Sequence, residues 1–408
     1  MALLRTGTKY SSAFLLACAG ALVIAANLTF VYGNSPTKAL GFLLPAIILG
    51  LWGIGQSRHD AVAAPLAVRT TRKIWAALAA IVALHCLVAV PFCRQASARI
   101  DTFTFLRDSC KTLLAGGDPY GATQADIYGP PENSIYYGPG MVIDGRVQVG
   151  YPYPPLQLVW ALPGYLLGDV RYSFILAVAL SAWLLFAMEP RARSLWICAI
   201  LLLNPLTFYI EAHAWNEPLV LLALCATLYA ARRHPRWLPL TLGLFLASKQ
   251  YNVFALPFLV CLIHPEQPFR WRPLLKLMAV SCAVATATVA PFSLWNSHGL
   301  WRDLVVFNLM HPFRHDALSF AVRLPFLLKL RPVLLLVFLV WAVRTSRRTP
   351  ALFAAGYAVA ILLLVSTEMG YANYYFLIAQ TFLLAVAAMP EVPFWPEATV
   401  EPRRSDLV

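Results

Sequence analysis

The chain has 408 residues, of which 60% are hydrophobic and only 12% charged. Soluble domains carry roughly 25% charged residues, so the composition excludes a soluble enzyme and calls for a polytopic membrane protein. The net charge of +13 sits in clusters between apolar runs, so it reports membrane orientation and excludes a nucleic-acid surface.

A spanning helix needs about 20 apolar residues, with roughly 17 as the lower limit. The first run, 11–32, is long enough, and the Ser35-Pro36-Thr37-Lys38 after it offers no small-residue cleavage pattern, so it is read as an uncleaved helix. Runs 38–55 and 74–92 follow. The longest polar interruption then extends from 94 to 153, with Asp101 near its start. A carboxylate at the lip of a bilayer is costly to keep partly dehydrated, which marks it for chemistry.

Behind Asp101, residues Phe103, Leu106, Cys110, Leu113 and Leu114 recur at helical spacing, with Arg107, Asp108 and Lys111 on the other face. That pattern predicts an interfacial helix, ended by Gly116-Gly117-Asp118-Pro119. Tyr120, Tyr128, Tyr136, Tyr137, Tyr151 and Tyr153 come next. They suit a membrane belt, and their faces also suit sugar rings and isoprenoid chains. Segment 155–167 is predicted to be a partial or re-entrant helix, since a full crossing would put Asp101 and the stretch from His213 to Glu217 on opposite sides.

Further spans are expected at 171–188, 194–210 and 216–231. Two short helices, 237–248 and 252–263, flank Lys249. A span at 274–292 leads into a second outer loop, 293–332, and runs 333–346, 350–367 and 372–389 close the chain. The expectation is an all-α protein of about 12 transmembrane segments, with no internal repeat and no soluble domain.

Basic residues recur in alternate loops: Arg5/Lys9, Arg58/Arg69/Arg72/Lys73, Arg191/Arg193, Arg232/Arg233/Arg236, Arg270/Arg272, Arg344/Arg347/Arg348 and Arg403/Arg404. The positive-inside rule then puts both termini in the cytoplasm. Arg94, Arg99, Arg302, Arg314, Arg323 and Arg331 fall on the outer side against that bias, and an anionic lipid head group supplies a reason for them. Most of the eight cysteines lie inside apolar spans, and His85 beside Cys86 reads as an isolated neighbour. Whether Cys93 and Cys110 pair is left open.

Four outer clusters could carry chemistry. They are Asp101 with Arg107 and Asp108; Glu211, His213, Asn216 and Glu217; Lys249, Gln250 and Tyr251; and Arg302-Asp303 with His311, Arg314, His315 and Asp316. Lys249 stands among apolar residues and needs a partner, either Glu217 or Glu211 in an ion pair or a ligand phosphate. Arg314 can grip phosphate in bidentate fashion. Pro312 permits only a helix start after His311, and no glutamate of a zinc-protease motif lies between His311 and His315, so no metal is expected. Phosphate-cradling glycine loops are missing from the sequence.

Asp101 with its interfacial helix ending LLAGGDPY, then YPYPPLQLVWALPGYLL (151–167), form a fairly specific pair of features. With NPLTFYIEAHAWNEPLVLLAL (204–224), GLFLASKQYNVFALPF (243–258) and GYANYYFLIAQ (370–380), they span about 90 to 390. This set resembles the polyprenol-phosphate-sugar-dependent glycosyltransferases of the C superfamily (GT-C), above all glycosyltransferase family 87, which includes bacterial alpha-mannosyltransferases. The chain departs from that pattern at Ala214-Trp215, where the family commonly has Gly-Gln, and in its two early spans.

The resemblance implies an extra N-terminal hairpin (1–72), a catalytic membrane domain (73–390) and a cytoplasmic tail (391–408). It implies a bacterial cytoplasmic-membrane enzyme moving a hexose, mannose being the commonest theme, from a polyprenyl-phosphate sugar to a lipid or glycan acceptor on the outer face. Asp101 would be the catalytic base, and Lys249, Arg314 and His311 would hold the donor phosphate. His213, Asn216, Glu217, Gln250, Tyr153 and Tyr374 would contact substrate, with no cofactor and no metal. The rival readings are a secondary transporter with Glu217 and Lys249 as coupling sites, and a non-catalytic lipid-binding assembly partner.

Overall fold

The structure is a computed structural model that describes residues 11–57, 72–96, 98–263, 270–345 and 348–389. The basic positions Arg5, Lys9, Arg58, Arg69, Arg347, Arg403 and Arg404 and the tail 391–408 lie outside the described residues. The helices are α1 (Ser12–Val31), α2 (Pro36–Gln56), α3 (Arg72–Gln95), α4 (Asp101–Leu114), α5 (Asn133–Tyr136), α6 (Pro155–Leu166), α7 (Arg171–Met188) and α8 (Ala192–Leu203). After them come α9 (Pro205–Ala212), α10 (Glu217–Arg233), α11 (Leu238–Ser248), α12 (Trp271–Trp301), α13 (Phe307–Met310), α14 (Leu327–Thr345), α15 (Pro350–Ser366) and α16 (Ala372–Ala388).

α1, α2, α3, α7 and the stretch Trp271–Met310, which is kinked at Asn296, are long and apolar enough to cross a membrane, and the bent pair α8–α9 makes a sixth such element. The chain is thus an all-α integral membrane protein. The segments expected from the sequence all appear as helices, 194–210 as a pair bent by 47°. α6 has 12 residues, about 18 Å of helix, too short for a bilayer core of about 30 Å, in keeping with a partial crossing. α15 and α16 are buried along nearly their whole length and form the centre of the bundle. α1 packs on α2 and α16, where the Asn27 amide donates to the Ala372 carbonyl at 2.8 Å.

Two interruptions of helix shape this bundle. At the first, Pro205 has no N–H, so the Leu201 carbonyl loses its helical partner. The Thr207 hydroxyl donates to it instead at 2.6 Å, and His85 Nδ1 donates to the Leu202 carbonyl at 2.7 Å. His85 Nε2 meets Glu211 Oε1 at 3.0 Å, with both side chains fully buried. His85 is therefore no isolated neighbour of Cys86, and Glu211 faces α3 away from the outer cluster expected for it. At the second interruption, Lys249 is extended (φ −158°, ψ 146°) and a 3₁₀ helix follows over Gln250–Leu262. The Gln157 amide donates to the Ser248 carbonyl and the Asn252 amide to the Phe245 carbonyl, each at 2.6 Å.

The first outer loop holds a small antiparallel sheet of β1 (Gln124–Ala125), β2 (Val142–Ile143) and β3 (Arg146–Val147), in the order β1-β3-β2. Asp144 and Gly145 close its hairpin with φ of 49° and 69°, as a two-residue turn of mirror type requires. The loop is fastened to the bundle by Asp303, which is fully buried on a π-helical turn, Arg302–Val306. Its Oδ2 accepts from the Gly150 N–H at 2.9 Å and the Tyr151 N–H at 2.8 Å, and its Oδ1 accepts from Arg302 Nε at 2.8 Å. Any side chain on Gly150 would stand 2.0 Å from the Pro119 carbonyl oxygen. Arg302 and Asp303 are thus structural, a correction to their expected place among the outer chemical clusters. Cys93 and Cys110 are unbonded and buried in separate clusters.

The ends of α7, α10 and α16 gather basic residues. Arg191 and Arg232 pair with Glu189, and Arg193 donates to the Met389 carbonyl. α10 and α16 run from this end to Glu217 and Ala372 at the other. Asp303→Ala is expected to destabilise the protein by about 3–5 kcal/mol, because it strands two buried N–H groups and the Arg302 charge. Unfolding of the detergent-solubilised protein measures this.

Candidate functional site

At the end opposite that basic cluster, a cavity of about 320 Å³ lies between α4, the α9–α10 turn, the break at Lys249, the residues after α13 and the start of α16. Asp101, Tyr153, His213, Asn216, Lys249, His311, Arg314 and Tyr374 all line it. These residues are up to 273 positions apart in sequence and come from six parts of the fold, Tyr153 standing in the segment before α6.

Asp101 is the first residue of α4, with Ile100 as the N-cap. Its carboxylate therefore lies in the first turn, where the helix dipole favours an anion. Oδ1 accepts from the Thr102 N–H at 2.7 Å. Burial pushes the Asp101 carboxyl above its ordinary value, against the opposing pull of the Thr102 N–H and of His311 and Arg314. Burial also holds His311 below its ordinary value, with its Nδ1 donating to the Pro312 carbonyl at 3.1 Å.

Tyrosines link Asp101 to a cation on either side. On one side, the Tyr153 hydroxyl lies 3.5 Å from Thr102 Oγ1, and Lys249 Nζ stands 4.2 Å from the centre of the Tyr153 ring. On the other, the Tyr128 hydroxyl accepts from the Asp101 N–H at 3.3 Å, and Tyr128 stacks on Tyr136 at 3.8 Å. Arg314 lies 4.2 Å over Tyr136 and 5.1 Å over Tyr371. Its Nε donates to the exposed Asp316 at 2.8 Å. Such cation–π contacts orient a cation without neutralising it.

Lys249 is 6% exposed and pairs with Glu217 Oε1 at 3.3 Å. Glu217 also accepts from the Tyr251 hydroxyl at 3.2 Å. Glu217 is fully buried behind Lys249 and is outside the cavity wall. Gln250 is outside it as well, donating to the Pro152 carbonyl at 3.2 Å. Lys249 lines two further spaces. One of about 660 Å³ runs between α11, the 3₁₀ segment and α12, walled by Leu246, Val253, Leu256, Val289 and Leu294. The other, about 480 Å³, lies beside Leu304, Leu309, Leu364 and Val365. The three spaces meet at this ammonium.

The α9–α10 turn is a Schellman motif. The Trp215 N–H donates to the Ile210 carbonyl and the Ala214 N–H to the Glu211 carbonyl, with Ala214 at φ 54°. Glycine is the usual residue at such a left-handed position. The turn gathers three rings: His213 stacks on Trp215 at 5.3 Å and lies tilted against Tyr209 at 4.1 Å, while Tyr209 and Trp215 meet edge to face at 5.6 Å. Burial lowers the His213 pKa, and its Nδ1 donates to the Tyr209 carbonyl at 2.8 Å.

The other outer cations divide. Arg99 joins Arg314 in the cavity wall, while Arg94 bonds Tyr172, Arg323 bonds Thr37 and Arg331 pairs with Glu368. His315 packs on Phe313 outside the wall. Among the described residues no three His, Cys, Asp or Glu side chains converge as a metal site. Thr102, Tyr209, Trp215, Tyr371 and Asn373 also line the wall, and sequence reasoning did not assign them to it. Tyr371 and Asn373 border Tyr374 in the GYANYYF stretch, which was the available signal.

No protein-family model matches the chain, and no curated protein matches it. Among solved structures, the chain is similar to a crystal structure of ArnT from Cupriavidus metallidurans bound to undecaprenyl phosphate. The identity is 17% and the TM-score 0.48, over 75% of this chain and 59% of that one.

Removing one partner of the Lys249–Glu217 pair leaves a buried charge exposed to apolar surroundings. Glu217→Leu is expected to cost about 3–5 kcal/mol, and Lys249→Met added to it to recover most of that loss. Denaturant titration of the two single variants and the double variant in micelles tests the coupling.

Proposed function

We propose that the chain is a membrane glycosyltransferase moving a hexose from a polyprenyl-phosphate sugar to a hydroxyl of a lipid or glycan acceptor. One observation carries this reading: a carboxylate and two oriented cations share a polar cavity that meets apolar grooves at Lys249. A lipid phosphate sugar has this same division, with an apolar chain, an anionic phosphate and a polyhydroxyl head. The phosphate would rest by Lys249, with His311 and Arg314 toward the water side, and the chain would follow the grooves.

In the reaction, Asp101 takes the proton of the acceptor hydroxyl. The hydroxyl oxygen bonds to the anomeric carbon as the bond from that carbon to the phosphate oxygen breaks. The leaving electron pair stays on the phosphate, which departs as a polyprenyl phosphate. A phosphate is stabilised by nearby cations and needs no general acid. Single displacement inverts the anomeric centre.

The basic ends of α7, α10 and α16 lie away from the cavity, which supports an active site on the outer face of the bacterial cytoplasmic membrane with both termini inside. Residues 1–72 would be an added hairpin on a catalytic domain of 73–390. For a secondary transporter or a non-catalytic lipid-binding partner, the buried Glu217–Lys249 pair would suffice, and Asp101 would be dispensable.

Asp101→Asn is therefore expected to lower transfer by about 10²–10⁴-fold while the donor still binds. Radiolabelled polyprenyl-phosphate hexoses, incubated with purified protein and membrane extract, measure this, and unchanged turnover in the variant would refute the base role. Wild-type kcat/KM should fall with falling pH, because the base works only deprotonated. Its midpoint should lie above the ordinary carboxylate value of about 3.9, since burial raises the Asp101 pKa.

A further inference from the structure

Asn216 is 1% exposed, lines the cavity, and has neither its amide nitrogen nor its amide oxygen bonded within the protein. It is the N-cap of α10, where an asparagine ordinarily accepts a backbone N–H, yet its side chain forms no such bond. Pro218 explains part of this, since it removes one of the N–H groups that a cap would serve. The Tyr151 hydroxyl lies beside the amide without a bond of ordinary geometry. A buried amide with both ends unsatisfied is costly, so such a group in a cavity wall awaits a ligand.

The amide's chemistry selects that ligand. It presents an NH₂ donor group and a carbonyl acceptor side by side. A phosphate or carboxylate offers acceptors only, and an ammonium donors only. Two neighbouring hydroxyls each donate and accept, and so satisfy both ends at once. Next to Asn216, Trp215 and Tyr209 also line the cavity, and the negative face of an aromatic ring suits the polarised C–H groups of a sugar. His213, neutral and held by Tyr209, adds an acceptor at Nε2. The charged residues of the cavity lining are Arg99, Asp101, Lys249 and Arg314, and none of them belongs to the turn from Tyr209 to Asn216.

We infer that Asn216 is a specificity-determining residue that reads a pair of adjacent hydroxyls on an uncharged sugar, seated against Trp215. The inference rests on the transferase reading and refines it: the transferred group bears neither a carboxylate nor an amine at the carbons facing this wall. Lys249 and Arg314 serve the phosphate, and Asn216 serves the sugar alone.

The test measures binding of farnesyl phosphate and of its mannosyl, glucosyl, glucosaminyl and glucuronosyl esters to the purified full chain. Wild type should bind one of the uncharged hexosyl esters about tenfold or more tighter than farnesyl phosphate itself, with no such gain for the glucuronosyl ester. Asn216→Ala should erase that gain and leave farnesyl phosphate affinity unchanged, which also shows that the variant is folded. Asn216→Asp, of equal size but unable to donate, should lose the gain too. Equal weakening of the sugar-free and hexosyl ligands in a folded variant would assign the amide to the phosphate and overturn the inference. So would a hexosyl gain that survives in Asn216→Ala. Failure of wild type to bind farnesyl phosphate at all would instead remove the transferase reading.

Discussion

Inside a bilayer no water is available for stray backbone groups, so every N–H and C=O must find its partner within the protein. The helix interruptions at Pro205 and Lys249 meet that demand with side chains brought from elsewhere. Thr207 and His85 take the carbonyls freed at Pro205, and Gln157 and Asn252 take those freed before Lys249. Each interruption leads directly to a feature of the cavity. The first sets the short helix that ends in the His213–Asn216 turn, and the second puts Lys249 in extended backbone at the junction of three spaces.

The charges follow the same economy. Glu211 meets His85 and Glu217 pairs with Lys249, so each break is buried with a polar side-chain pair. Such pairs are weak sources of net stability but expensive to break singly. Their value here is positional. Glu217 begins α10 and Lys249 ends α11, so the pair joins the ends of two neighbouring helices at the cavity floor. Asp303 does the same for the outer loop, fixing Gly150 and Tyr151 and through them Tyr153. Tyr153 then spans from Thr102 to Lys249, which makes the loop part of the site.

Much of this was legible in the chain. Period and apolar length located the helices, including the amphipathic α4 and the short α6. Eight of the ten residues singled out for the site line one cavity, because acids, cations and tyrosines at membrane depth have few other reasons to be there. The hairpin at Asp144-Gly145 carried a turn signal that the tyrosine-rich loop obscured. Arg302 and Asp303 misled, since a buried clamp and an exposed catalytic pair have the same composition.

By itself, then, the sequence determined the membrane class, the order of the helices and the residue types able to do chemistry, because hydrophobic burial and helical period act locally along the chain. Only the tertiary structure decided which polar groups face one another. Glu217 and Gln250 stand outside the cavity wall while Asn216 enters it, although 216 and 217 are adjacent. That choice depends on the local turn at Ala214 and on the ion pair across to Lys249, and the second is a contact between elements distant in sequence that no local pattern encodes.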